Sequence, residues 1–217
     1  MNDPQPISEG IAAITERLMA AGDAQNLTQP PFGAEKGRGE AETLLKNGFP
    51  LRHVNQIYIG LHGPGQEMMK KHLKRILGGD ALIVLTGNRG PGKTQIAVTW
   101  AAERFRADKA PGRYVKCADL IGEIKETWGK STGEKAVLDR YRRTKYLVID
   151  EFHEKGASEW EARTLVNLLD HRYDDCKCTV LIANIEPSKI TEAINPSIID
   201  RANQTGGVIS CDWESYR

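Results

Sequence analysis

Residues 87–94 read Gly-Asn-Arg-Gly-Pro-Gly-Lys-Thr: three glycines and a proline ahead of a lysine and a hydroxyl. Such a run has little helix or strand propensity of its own. Glycines let the backbone curl until successive N–H groups point inward, a concavity that suits phosphate oxygens. An apolar run, ALIVLT at 81–86, precedes it, and a helix-compatible stretch follows over 93–107. A loop between a strand and a helix also gains the positive end of the helix. Gly87, Asn88, Arg89, Gly90, Pro91, Gly92, Lys93, Thr94 and Gln95 are therefore the candidate cradle for ATP. Lys93 can reach the β- and γ-phosphates, and the Thr94 hydroxyl can bind Mg2+.

A second stretch carries complementary chemistry. YLVIDE at 146–151 is a strand ending in two adjacent carboxylates. In a parallel sheet, ligands sit at that end of the strands. Asp150 can hold Mg2+, usually through water, and Glu151 can act as general base on the attacking water. The second carboxylate favours hydrolysis over simple phosphate transfer. TVLIAN at 179–184 ends in Asn184, whose amide would orient water and sense the γ-phosphate if its strand lies beside the acidic one.

The elements that must position these residues alternate. Strands fit 81–86, 113–117, 146–150, 179–184 and 208–212. Helices fit 65–77, 93–107, 118–128, 134–143 and 158–173. Apolar strands alternating with helices predict an α/β fold, a central five-stranded parallel sheet between helices. Upstream, 7–19 reads as a helix with Ile7, Ile11, Ile14 and Leu18 at helical spacing, and 34–47 as another ending at Gly48. GFPLRHVNQ, from 48, reads as extended, because Pro50 disfavours helix at Phe49. The expected division is a helical N-terminal arm over 1–48, whose Ile11, Ile14 and Leu18 could form a partner-binding surface or equally pack between the two N-terminal helices, and an ATPase domain over 49–217.

Composition narrows the classes. The 217 residues carry 30 Lys and Arg against 29 Asp and Glu, so no global charge points to a polyanion, although a local basic patch would suffice. The longest apolar run is too short for a membrane span, and 1–10 lack a basic segment followed by an apolar core. A cytoplasmic protein without a membrane partner is expected. Cys117, Cys176, Cys178 and Cys211 match no zinc spacing and read as reduced structural thiols.

Over roughly 47–217 the chain resembles AAA+ P-loop ATPases of the replicative helicase-loader type, DnaC- and DnaI-like, with the IstB transposition ATPases as near relatives. GFPLRHVNQ, ADLIGEIKETW, NPSIIDRANQTGG and WESYR carry that resemblance beyond the phosphate loop and acidic strand. The resemblance implies that Arg201, in IIDR, is an arginine finger acting in trans on ATP of a neighbouring subunit, so the active form is a self-oligomer, a spiral or ring. It implies that Arg217, in WESYR, is a second sensor of the γ-phosphate in cis. It implies single-stranded DNA contacts at Lys125 and Trp128, and at Ser158 and Trp160. Lysine on phosphate and indole on base is what sequence-tolerant single-strand binding needs. For both tryptophans, burial in the core is the competing reading. Arg89 inside the loop and His153 after the acidic pair depart from the family pattern without removing a catalytic group.

The function this implies is an ATP-dependent loader that places a hexameric replicative helicase on DNA. Two alternatives stay open: an IstB-like transposition ATPase binding duplex DNA, and a nucleotide-gated adaptor with little hydrolysis. The intact Glu151 argues against the adaptor.

Overall fold

The computed structural model of the chain describes residues 34–60, 65–77, 82–130, 133–152 and 158–213. The expected helix over 7–19, His153 and Arg217 lie outside the described residues.

Five strands form one parallel sheet: β1 (Leu82–Thr86), β2 (Gly112–Lys116), β3 (Tyr146–Asp150), β4 (Cys178–Ile182) and β5 (Gly207–Ser210). Their order is β2-β3-β4-β1-β5, so β4 lies between β1 and the acid-bearing β3. The helices in chain order are α1 (Ala34–Lys46), α2 (Leu51–Ile59), α3 (Gln66–Leu77), α4 (Lys93–Asp108), α5 (Cys117–Lys125), α6 (Glu134–Arg143), α7 (Glu159–Asp174), α8 (Ile190–Ala193) and α9 (Pro196–Gln204).

The period-2 geometry of the strands divides the core between the two faces of the sheet. Leu82, Val84, Leu147, Ile149 and Leu181 face a core completed by α5, α6, α7 and α9. Ile83, Leu85, Val148, Val180 and Ile182 face a second core with Val54, Met69, Ile76 and the apolar side of α4. Every residue of β1, β3 and β4 is buried, which explains their unbroken apolar runs. Each buried aliphatic side chain contributes about 1.5–3 kcal/mol. Truncation of Ile83, wholly buried in the central strand, would cost about 2–5 kcal/mol.

Two local features tie the outer elements to this frame. Glu40 of α1 takes a two-pronged bond from Arg106 of α4, at 2.9 and 2.7 Å. Arg172, fully buried, donates to the carbonyls of Tyr141, Thr144 and Cys178 and so closes the C-terminal end of α6.

One expectation fails. The segment after Pro50 is helical, not extended: α2 begins at Leu51, with Pro50 as its N-cap at φ −67°. Proline restricts the residue before it, but its own φ suits a helix start, where a missing N–H loses nothing. The Pro50 carbonyl accepts from the N–H groups of His53 and Val54 at 2.9 and 3.0 Å.

Candidate functional site

The loop after β1 turns into α4 through left-handed glycines. Gly92 caps α4 with φ +96°, a conformation open to glycine and strained for other residues. At Gly87, φ +128°, a Cβ would lie 2.2 Å from the Cys211 carbonyl oxygen, so only glycine allows this approach of loop to strand end. The loop is pinned from below as well. The Gly87 N–H and the Thr86 hydroxyl both donate to the Ile185 carbonyl, at 2.8 and 2.6 Å.

Lys93, the first residue of α4, is buried, with 4% of its surface exposed. Its ammonium donates to the carbonyls of Gly87 and Asn88 at 2.9 and 2.6 Å. Burial pushes it below the ordinary lysine range, and Cys211 and Asp150 oppose the shift. The Thr94 hydroxyl donates to Asp150 Oδ2 at 2.9 Å, joining the loop to the end of β3 across the intervening β4. Asp150 Oδ1 accepts the Glu151 N–H at 2.7 Å. Glu151 itself stands at φ +55°, off the regular strand path, and its carboxylate pairs with Lys116 at 3.1 Å.

These groups surround a cavity of about 340 Å³. Arg89, Lys93, Thr94, Asp150, Glu151 and Asn184 line it on the loop and strand side, and Arg52, His53 and Gln56 of α2 line the other. Asn184 thus joins the acidic pair, as the strand order requires. Gln95 lines the cavity too and is tied to α2: its Oε1 lies 2.8 Å from His53 Nδ1, and its Nε2 donates to the His53 carbonyl at 3.1 Å.

The donor set fits a hard divalent cation. Thr94 and Asp150 offer oxygens within 2.9 Å of each other. Among the described residues, no group of three or more His, Cys, Asp or Glu could cage a metal. Mg2+ is held in this sparse way in nucleotide sites, by one or two protein oxygens with substrate phosphates.

The remaining candidates lie elsewhere. Arg201, on α9, pairs with Asp170 of α7 at 2.6 Å and lies 5.6 Å from the centre of the Tyr173 ring. It is not among the described residues lining the cavity. Lys125, Trp128, Ser158 and Trp160 come together in one corner, although the two pairs lie far apart in the sequence. Trp128 and Trp160 meet edge to face at 5.1 Å, and Trp128 is 57% exposed. Trp160 is partly buried against the core. Lys125 donates to Glu161 at 2.5 Å. Glu161 also closes a capping box with Ser158, whose hydroxyl accepts the Glu161 N–H. Trp128 lies past the end of α5, in a turn where its N–H donates to the Lys125 carbonyl.

Sequence reasoning missed several participants. Tyr114, Lys116 and His53 reach the site through sheet register and helix packing, which local patterns do not reveal. Trp213, in the WESYR segment, donates its indole N–H to the Pro91 carbonyl at 2.8 Å, and its ring stacks on His72 at 5.2 Å. The Ser-Glu-Trp-Glu spacing at 158–161 is a readable capping-box signature, and Glu161 could have been found by it.

Comparison with known proteins gives a consistent result. A family profile described as IstB-like ATP binding protein matches residues 76–217. An ATP-binding protein of insertion sequence IS232 from Bacillus thuringiensis subsp. berliner is 30% identical over 142 residues, covering 62% of this chain and 55% of that protein. The chain thus spans about half the length of that relative. Among solved structures, the DnaC helicase loader aligns with a TM-score of 0.58 at 17% identity, over 74% of this chain and 99% of that one. The replication initiator DnaA, bound to AMPPCP and single-stranded DNA, aligns with a TM-score of 0.62 at 15% identity, over 77% of this chain and 52% of that one.

Proposed function

Since this chain belongs to the IstB-like ATP-binding protein family, with the parallel-sheet P-loop fold of AAA+ proteins, we propose that it is an ATPase that couples hydrolysis to single-stranded DNA binding and loads a hexameric replicative helicase. The carrying observation is the convergence of Lys93, Thr94, Asp150, Glu151 and Asn184 on one cavity.

In this reading the N–H groups of the loop and the Lys93 ammonium bind the β- and γ-phosphates. Thr94 and Asp150 would hold Mg2+, which would supply charge neutralisation on the phosphate oxygens. Glu151 accepts a proton from the attacking water, and Asn184 orients that water. Lys116 holds one oxygen of the Glu151 carboxylate by an ion pair. Arg201 is the arginine finger, offered to a neighbouring subunit of a self-oligomer; it must leave Asp170 to do so. The two tryptophans supply stacking surfaces for bases. Lys125 meets DNA phosphate only by sharing its charge with Glu161. An arm over residues 1–48 would bind the helicase, and 49–217 would form the ATPase domain.

A second reading is favoured by the insertion-sequence relative: a transposition ATPase acting on duplex DNA. ATP turnover with matched single-stranded and duplex DNA separates the two. Stimulation by the single strand supports the loader; stimulation by the duplex alone supports the transposition ATPase. In the same assay Arg201→Ala should lower turnover about a thousandfold while keeping nucleotide binding. Mixing it with Lys93→Ala protein should restore part of the activity. No recovery would remove the trans finger.

A further inference from the structure

We propose that Tyr114 is a positioning residue for the Asp150 carboxylate, fixing it for the divalent cation that the site would hold. The inference rests on the reading of this cavity as a Mg2+–ATP site.

Tyr114 stands on β2, the strand beside β3, in register with Val148. Its phenol reaches the end of β3 and donates to Asp150 Oδ2 at 2.7 Å. The same oxygen accepts from Thr94 at 2.9 Å, while Oδ1 takes the Glu151 N–H. The carboxylate is therefore held at both oxygens. The two hydroxyls on Oδ2 are not equivalent. The Thr94 oxygen is also the one offered to Mg2+, so its bond to Asp150 is open to exchange. The Tyr114 hydroxyl has Asp150 as its one hydrogen-bond partner among the described residues. It is the partner that can persist.

The ring has little freedom to leave. It is buried, lies against Phe49 with centroids 5.8 Å apart, and its backbone N–H donates to the Asn47 carbonyl at 3.0 Å. A donor that orients a metal-binding carboxylate acts on metal affinity, and loss of such a partner typically weakens it 10–100-fold.

Tyr114→Phe removes the hydroxyl and keeps the ring. The test is titration of a fluorescent ATP analogue against wild type and variant, first in EDTA and then at rising Mg2+. Affinity in EDTA should stay within about twofold, and the Mg2+ concentration needed for half of the metal effect should rise about tenfold. An unchanged Mg2+ requirement would overturn the proposal. So would an equal loss of affinity in EDTA, which would mark general damage to the site. A wild-type protein whose nucleotide binding ignores Mg2+ would overturn the underlying reading itself, an outcome visible before the variant is examined.

Discussion

Around the phosphate loop Lys93, Gln95 and Asp150 are buried, and the loop's polar side chains are tied to different elements: Lys93 to the loop carbonyls, Thr94 to β3, Gln95 to α2. At the tryptophan corner the aromatic surface is open, and the polar groups serve one another, Lys125 through Glu161 and Glu161 through Ser158. The first arrangement is preorganised for a ligand that replaces internal bonds with its own. The second leaves a rigid, half-exposed aromatic step whose nearby cation is already neutralised. A site of the first kind should fail sharply when one residue is removed, and a site of the second kind by degrees.

Lys93→Ala is the severest test of that contrast. It removes the buried cation and should lower ATP affinity at least a hundredfold, read by titration with a fluorescent nucleotide, from about 3 kcal/mol of lost charge-assisted bonds. Near-normal affinity would break the picture of a preorganised site. Next is Trp128→Ala, which should weaken single-strand binding by about 1–3 kcal/mol and leave nucleotide affinity unchanged. If DNA affinity is untouched, Trp128 is only a lid on Trp160. Smaller again is Ser158→Ala. Loss of the cap should cost about 1 kcal/mol in a denaturant melt, and any loss of DNA binding should follow only from release of Glu161 and Lys125.

The smallest effect concerns the seam between α3 and the loop. Burial, with Arg75 and then Lys71, holds His72 below the ordinary histidine range, and Asp212 opposes this. The unfolded chain then binds this proton at higher pH than the folded one. Stability is complete above the unfolded value of about 6.5 and falls as pH drops below it. Thermal midpoints between pH 7.5 and 5 should decline less steeply in His72→Gln. An identical slope would take His72 out of the account.

The parts of this protein legible in its sequence are those whose chemistry constrains neighbouring residues. A loop that must curl around phosphate declares itself by Gly87, Gly90 and Gly92, and a buried strand ending in Asp150-Glu151 by its apolar run. The expected five-stranded parallel sheet is observed, as is the place of β4 beside β3. The family resemblance also holds, on the match over residues 76–217. What stayed hidden depends on register and packing. Tyr114 and Lys116 meet the two carboxylates only because β2 pairs with β3 as it does. The α2 helix was missed because the restriction that Pro50 places on Phe49 was extended to the residues after it. Ser158 was read for DNA when its spacing to Glu161 also spelled a helix cap.

The most direct test of the central claim, a nucleotide-governed single-strand binder, is fluorescence anisotropy on a labelled single strand and a matched duplex. Each would be titrated with a non-hydrolysable ATP analogue, with ADP and without nucleotide. The account predicts tight binding to the single strand with the ATP analogue, weakening with ADP, and little affinity for the duplex. Equal or tighter duplex binding, or binding indifferent to nucleotide, would contradict it.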